Sequence, residues 1–320
     1  MKALITGIKG MAGSHLLDLL VGRGVEVFGC DLPNAPNAIE CHKSQFTYSD
    51  TDIRDYVELK NFFDFVKPDV VFHLAAEPFV PDSWKDPDGV VNTNILGTIH
   101  VLECARQMEN KPTVQLAGSS EEYGMVHPEE IPIHPKVQPF RPLSTYGVTK
   151  VALELLGYQY FYSYGLKTIT TRTFNHTGPR QNRQYITADF CAQALEYQLG
   201  KRTAIVHGNL DSVRDYTDVR DIVRGYVMAV NLVSSTGIGG MTVQLGGGVV
   251  ISGHELLARI TRILGITNLK TKMAQDRMRP SDVMLLAGDS SIFTMLTGWR
   301  PQFTHDQTLR DTLSYWNLRI

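Results

Sequence analysis

The chain has 320 residues, enough to bury a sizeable core in one large or two modest domains. Its 31 Lys and Arg against 33 Asp and Glu leave a formal charge of -2, which gives no electrostatic case for nucleic acid or an anionic membrane surface. No apolar run approaches bilayer length, no secretory h-region precedes the first glycines, and the four scattered cysteines (Cys30, Cys41, Cys104, Cys191) form no C-x-x-C, so the sequence predicts a reduced, cytoplasmic protein.

In chain order, Lys2 to Thr6 is a short apolar run that ends at Gly7 and reads as a buried strand. Met11, Leu16, Leu17, Leu19 and Leu20 recur at helical spacing and stop at Gly22 and Gly24. Glu26 to Cys30 is a second strand closed by Asp31, and Phe46 to Tyr48 a third. Tyr56 to Val66 fits an amphipathic helix stopped by Pro68. Asp69 to Leu74 is a nearly all-apolar fourth strand, the pattern of burial on both faces. A long helix over Val91 to Met108, a strand over Thr113 to Ala117, a second long helix over Tyr146 to Tyr164 and a strand over Leu166 to Thr173 follow. This alternation predicts a doubly wound parallel α/β sheet of the Rossmann kind with right-handed crossovers. After Asn175 the rhythm breaks into helices over Ile186 to Leu199 and Val219 to Val233, a strand over Met241 to Leu245, and a helix from Ser252 to about Leu264. Ser252 is the expected N-cap there and Glu255 its capping-box partner. The expected division is a first domain over residues 1–175 and a smaller mixed α/β lobe over 176–320, interleaved with the first.

Gly7-Ile-Lys-Gly10-Met-Ala-Gly13 joins the first strand to the first helix. Glycines there permit a tight turn and close approach of backbone to a pyrophosphate, and the helix N-terminus offers unpaired N–H groups. A glycine triplet also makes a turn with no ligand; its place at the first strand of an alternating sheet favours a dinucleotide. Asp31, ending the second strand, stands where an acid binds the adenosine ribose hydroxyls and repels a 2′-phosphate, so NAD is expected first and NADP second. The plainer role for Asp31 is to open the turn made by Pro33 and Asn34. Asp52 and Ile53, beyond the third strand, are candidates for the adenine edge.

Tyr146 and Lys150 stand one helical turn apart in Ser144-Thr-Tyr-Gly-Val-Thr-Lys150. A phenol of ordinary pKa near 10 is a poor proton shuttle at neutral pH, and an ammonium beside it favours the phenolate. Ser119, arriving in Gly118-Ser-Ser-Glu-Glu-Tyr-Gly124 at a strand end, is placed to hydrogen-bond a substrate oxygen. Tyr-x-x-x-Lys occurs by chance in many helices; the glycine loop and the Ser-Ser segment give it meaning. The ten histidines show no H-x-x-x-H spacing and no carboxylate cluster suggests a metal. His176 reads more plainly as a buried histidine satisfying backbone than as a substrate contact. Asp82-Ser-Trp84 either lines a pocket or makes a turn over a packed Trp84, and Phe161, Tyr162 and Tyr164 read as core or subunit contacts.

Gly7-x-x-Gly-x-x-Gly13, His73-Leu-Ala-Ala76, Asn94-Ile-Leu-Gly-Thr98 and Tyr146-x-x-x-Lys150 together resemble the extended short-chain dehydrogenase/reductases over essentially the whole chain. Gly118 to Gly124, Thr171-Arg-Thr-Phe-Asn-His-Thr-Gly-Pro179, Gly208 to Asp221 and Arg279-Pro-Ser-Asp282 are similar to the branch acting on GDP-mannose derivatives, its 4-keto-6-deoxy-sugar reductases in particular. The resemblance implies that Tyr146 is the acid/base, that Ser119 shares its work, and that Lys150 holds the nicotinamide ribose. Met11, Leu74 and Ala75 would line the cofactor with the glycines. Asn175 would lie near the sugar, Asn209, Arg214 and Arg279 would grip the diphosphate, and Asp282 stands where relatives often carry the Glu that contacts the nucleoside ribose. The implied reaction is hydride reduction of the C4 keto group of a GDP-6-deoxy-4-keto-hexose. In the related 4,6-dehydratases a glutamate matching Glu121 removes the C5 proton, so a 4,6-dehydratase, or behind it an epimerase, is the alternative; a solvated loop carboxylate is the plainer role for Glu121. The two long helices would pair across a two-fold axis, implying a homodimer.

Overall fold

The structure, a computed structural model, describes residues 1–39, 45–135, 138–278 and 283–320. The first half alternates as β1 (Lys2–Thr6), α1 (Met11–Val21), β2 (Glu26–Asp31), β3 (Phe46–Asp50), α2 (Tyr56–Val66), β4 (Val70–His73), α3 (Pro87–Val91), α4 (Gly97–Gln107), β5 (Thr113–Ser119), α5 (Thr145–Tyr164) and β6 (Thr168–Thr173). All six strands are parallel, and β1 pairs with β2 on one side and β4 on the other. The chain leaves β1 in both directions, so a crevice opens at the carboxyl ends of β1 and β4, where doubly wound sheets hold their ligands. Every residue of β4 and β6 is buried. Three of the threonines of β6 satisfy their hydroxyls in place: Thr168 donates to Gly157 O at 2.7 Å, Thr173 to Gly118 O at 3.1 Å, and Thr171 accepts from Gln115 at 2.8 Å. That is how a polar, β-branched strand occupies the middle of the molecule.

The long helix predicted over Val91 to Met108 is not regular. It begins at Pro87, whose N-cap Asp86 accepts from Gly89 N at 3.0 Å, and one π turn over Asn92–Leu96 separates α3 from α4. The extra residue turns Asn94 inward, where its amide accepts from Glu77 N at 2.8 Å and donates to Thr149 Oγ1 at 3.0 Å. The loop after β4 is thereby tied to α5, a use of π turns common beside functional sites.

The second half runs β7 (His176–Thr177), α6 (Ile186–Gln198), β8 (Ile205–His207), β9 (Val213–Asp215), β10 (Thr217–Asp218), α7 (Val219–Thr236), β11 (Met241–Leu245), β12 (Val250–Ser252), α8 (Gly253–Leu264), β13 (Thr271–Met273), β14 (Leu285–Leu286), α9 (Ser291–Thr297) and α10 (His305–Asn317). β11 leaves this half and pairs parallel with β6, completing a seven-stranded sheet of order β11-β6-β5-β4-β1-β2-β3. α7, just before it in the chain, buries Ile222, Tyr226, Val230 and Val233 in one core with Leu16, Leu17 and Leu20 of α1. What remains is a lobe of short strands under α6, α8 and α10, with its own core of Phe190, Ile205, Leu256, Ile260, Leu309 and Leu313. Ser252 caps α8 by accepting from Glu255 N at 3.1 Å. Among the described residues, no helix is long and apolar enough to cross a membrane.

Candidate active site

The three glycines of the first loop are required for different reasons. Gly7 turns the chain at φ +75°, and a Cβ there would lie 2.7 Å from Ala75 N. Gly13 packs α1 against the loop, and its Cβ would meet Gly7 O at 2.3 Å. Gly10 is the N-cap of α1 without a side-chain cap, and its Cβ would touch only Gly7 O, at 3.4 Å. Packing therefore dictates Gly7 and Gly13, whereas Gly10 keeps the α1 N–H groups open to the cleft with Met11 beside them. This cradle suits a pyrophosphate.

Asp31 lies on the cleft wall at the end of β2, accepting from Lys9 N and Leu32 N at 2.9 Å each. Burial raises its carboxyl, while those amides and the Lys9 charge pull it down. The Leu32 contact belongs to the turn, so the turn role is real; each oxygen keeps a further lone pair for a ribose hydroxyl. Lys9 carries a role that the sequence reading missed. Its ammonium is buried inside the glycine loop, donates to Leu32 O (2.8 Å) and Pro33 O (3.0 Å), pairs with Asp50 (3.3 Å) and sits 4.7 Å from the Tyr48 ring centre. The lone basic residue between Gly7 and Gly10 was the available signal. Asp52 lines the cleft with Ile53 and is engaged by the Arg54 guanidinium at 2.7 Å. Leu74 and Ala75 line the same cleft.

Ser119 is the last residue of β5, and Tyr146 lies in the first turn of α5, whose N-cap Ser144 accepts from Gly147 N at 3.1 Å. The Ser119 side chain lies close enough to Tyr146 to act on its phenol. The serine oxygen accepts from Glu121 N at 3.2 Å. Lys150 donates to Ala117 O at 2.8 Å and lies 5.6 Å from the Tyr146 ring centre. The sequence predicts a phenol lowered by this ammonium; the structure corrects that. Burial dominates and pushes the Tyr146 phenol above its ordinary value, with Ser119 acting the other way. Burial also brings Lys150 down to about 8, opposed by the charge of Glu122. Desolvation of both groups outweighs their mutual effect because each is shut away from water.

Glu121 stands half-buried on the cleft wall rather than in open solvent. Its neighbour Glu122 points into the protein and is fully buried. Asn175 follows β6 into the cleft, and its Oδ1 is buried without a protein partner, as expected of an acceptor kept for a ligand. His176 bonds Phe174 O at 3.3 Å, and burial holds it neutral, in line with its plainer reading, although it too lines the cleft. Asp82 and Trp84 line the same wall from a short 3₁₀ turn over Val80–Trp84. Across from them stand Asn209, which accepts from Asp211 N at 2.9 Å, and buried Arg214 of β9. Arg183 and Arg277 of the second lobe also reach this wall; nothing in their spacing marked them. Arg279 and Asp282 lie outside the described residues.

The glycine loop, Ser119, Tyr146, Lys150 and the second-lobe residues share one cleft of ≈ 1570 Å³. That exceeds the roughly 300–1,000 Å³ of a single drug-sized site and gives room for a dinucleotide and a nucleotide sugar end to end. Among the described residues, no group of three or more His, Cys, Asp or Glu is arranged to hold a metal ion.

Fold and site together define an NAD(P)-dependent nucleotide-sugar enzyme of the extended short-chain dehydrogenase/reductase type. The chain belongs to the GDP-mannose 4,6 dehydratase family, whose sequence profile matches residues 4–312. It is 28% identical to the GDP-6-deoxy-D-mannose reductase of Pseudomonas aeruginosa, covering 100% of this chain and 98% of the other. It is 27% identical to a GDP-mannose 4,6-dehydratase of Vibrio cholerae, covering 95% and 90%. Among solved structures, the UDP-glucose 4-epimerase of Thermus thermophilus in complex with NAD superposes with a TM-score of 0.88 at 27% identity over 100% of both chains. RMD from Pseudomonas aeruginosa, complexed with NADPH, gives 0.85 at 26% identity, covering 100% of this chain and 99% of the other.

Proposed function

We propose that the protein reduces the C4 keto group of a GDP-linked 6-deoxy-4-keto-hexose, as a cytoplasmic homodimer with NAD as first and NADP as second cofactor. The observation that carries this reading is the Ser119–Tyr146 pair: a phenol kept protonated by burial, close to a serine, with both on the wall of one cleft. A protonated phenol is the form that gives a proton to a carbonyl oxygen becoming an alcohol. When bound, the reduced nicotinamide supplies the hydride to C4. Tyr146 donates its proton to the C4 oxygen. Ser119, whose oxygen already accepts the Glu121 N–H, keeps its own hydrogen to donate to the same oxygen and stabilise developing charge. The Lys150 ammonium supports the phenolate left behind. Residues 1–175 would hold the dinucleotide, with Asp31 on the ribose. The lobe over 176–320 would hold the nucleotide sugar through Asn209, Arg214, Arg279 and Asp282, with Asn175 at the sugar.

Similarity to the Pseudomonas aeruginosa reductase over the full length supports this reading. One observation favours a second: Glu121 stands on the cleft wall, where a 4,6-dehydratase needs a base, and the Vibrio cholerae relative is a dehydratase. Incubation with GDP-mannose alone, followed by mass spectrometry, separates them. The reductase leaves GDP-mannose intact and consumes NADH or NADPH only when the GDP-4-keto-6-deoxy sugar is supplied; loss of water from GDP-mannose without added nicotinamide overturns it.

A further inference from the structure

The second acid of the Glu121-Glu122 pair is the most deeply buried carboxyl beside the proposed catalytic group; burial raises it and the Arg172 charge pulls it back down. Glu122 has no exposed surface, and Arg172 of β6 is 1% exposed. One carboxylate oxygen accepts from Ser119 N at 2.8 Å, and the other from Arg172 Nε at 2.7 Å. Each of the other two guanidinium nitrogens is also engaged: one donates to Glu154 of α5 and the other to the Tyr123 hydroxyl, and the group lies 4.7 Å from the Tyr123 ring centre. The backbone makes room for this carboxylate, since a Cβ on Gly118 would stand 2.9 Å from its oxygen. A buried ion pair is a poor source of stability, because an apolar group of similar volume does as well or better. What an apolar group cannot do is accept the Ser119 N–H and the Arg172 Nε–H at once.

The consequence falls on the Ser119 hydroxyl. With its amide held by Glu122 and one lone pair of its oxygen taken by Glu121 N, the side chain keeps its own O–H to donate and one lone pair. The neighbouring carbonyls are fixed too, Ala117 O by Lys150 and Gly118 O by Thr173. We propose that Glu122, braced by Arg172, is a positioning residue that locks the end of β5 so that Ser119 presents its hydroxyl, beside Tyr146, as a donor to the reacting oxygen. This rests on the reading of Ser119 and Tyr146 given above, and adds to it a group that touches neither substrate nor cofactor.

The test is a double-mutant cycle on whichever of the two nucleotide-sugar reactions above the wild-type protein carries out. Glu122→Gln is isosteric but has one acceptor. The guanidinium is the stronger claimant on that oxygen, so the new amide faces the Ser119 N–H, donor against donor. We expect kcat to fall roughly tenfold or more, with KM for sugar and cofactor within about twofold. In a Ser119→Ala background the same substitution should change kcat by less than about twofold, because the group it acts through is gone. Equal losses in both backgrounds, a loss confined to KM, or no loss overturn the proposal. If Glu122→Gln does not fold, Glu122→Asp serves the same cycle: it keeps the charge beside Arg172 but falls one methylene short of Ser119. Tyr146→Phe runs alongside. Unchanged turnover there overturns both readings, whereas a large Tyr146 effect with additive losses overturns this one alone.

Discussion

Burial brings the Lys150 ammonium down to about 8, so its charge changes within a range that an assay can cover. In the proposed reaction the amine is charged below that pH and would support the phenolate left when Tyr146 gives up its proton; above it the amine is neutral and that support would be gone. The sign follows from the direction: a lysine whose pKa is depressed loses its proton on the near side of its ordinary value, so activity is lost on the alkaline side. We expect kcat/KM for reduction, which reports the free enzyme, to fall with an apparent pKa near 8. Lys150→Arg stays charged at every accessible pH. It should work more slowly, because a guanidinium does not fit against Ala117 O as the amine does, yet its profile should be flat up to about pH 10. A descending limb near 8 that survives in the arginine variant would assign the titration to another group.

The first turn of α1 separates what a glycine does for packing from what it does for a ligand. Gly13→Ala pushes a methyl to within 2.3 Å of the Gly7 carbonyl, backbone against backbone, so the loop has to open. We expect a fall in Tm together with at least about a tenfold loss of NAD(P)H affinity by fluorescence titration. Gly10→Ala meets only one atom, at 3.4 Å; its Tm should stay within about 2 °C of wild type while cofactor affinity falls. Equal Tm losses for both variants would refute this division. On α5, Val148, Leu155, Tyr158 and Tyr162 are exposed by 51–65% and recur at steps of seven, three and four, a single apolar stripe along the helix. If that stripe forms the proposed two-fold contact, Leu155→Arg should give a monomer by light scattering where the wild type is a dimer. α5 and the glycine loop were legible in the sequence because their signals are local: a tyrosine and a lysine one helical turn apart, and three closely spaced glycines between a strand and a helix. The π turn after Val91 was not, since it is imposed by what Asn94 reaches across the fold. Nor was the buried place of Glu122, because only the distant Arg172 distinguishes it from Glu121. The phenol shift was misjudged for a related reason: spacing reveals the neighbouring charge but not the depth of burial.

Across the whole molecule, one core joins the two halves of the chain. Ala3, Ile5 and Leu16 pack in the same cluster as Tyr226, Val243 and Trp299, and β11 closes the sheet that β1 begins. Unfolding of the first half therefore strips the second of its support, and we expect one urea transition by both tryptophan fluorescence and far-ultraviolet circular dichroism. His73 lies in the middle of this structure, bonded to Thr6 Oγ1 at 2.8 Å and to Thr98 Oγ1 at 2.9 Å, and so links β1 to α4 beneath the cleft. Burial lowers it to about 3 from the ordinary 6.5. Its sign is that of a base kept neutral by folding: the unfolded chain takes up a proton below about 6.5 that the folded chain refuses, so stability is complete above that pH and declines as the pH falls toward 3. Half-buried Asp31 and buried Asp215 are raised and so pull the opposite way. His73→Gln isolates the histidine, because glutamine has an oxygen and an amide for the two hydroxyls and does not titrate. The variant should be less stable than wild type at pH 7. That gap should close by about 2 kcal/mol between pH 6.5 and 5, at ~1.4 kcal/mol per unit for one group. A gap independent of pH over this interval would mean that His73 is protonated in the fold, with its proton held by the two threonine oxygens.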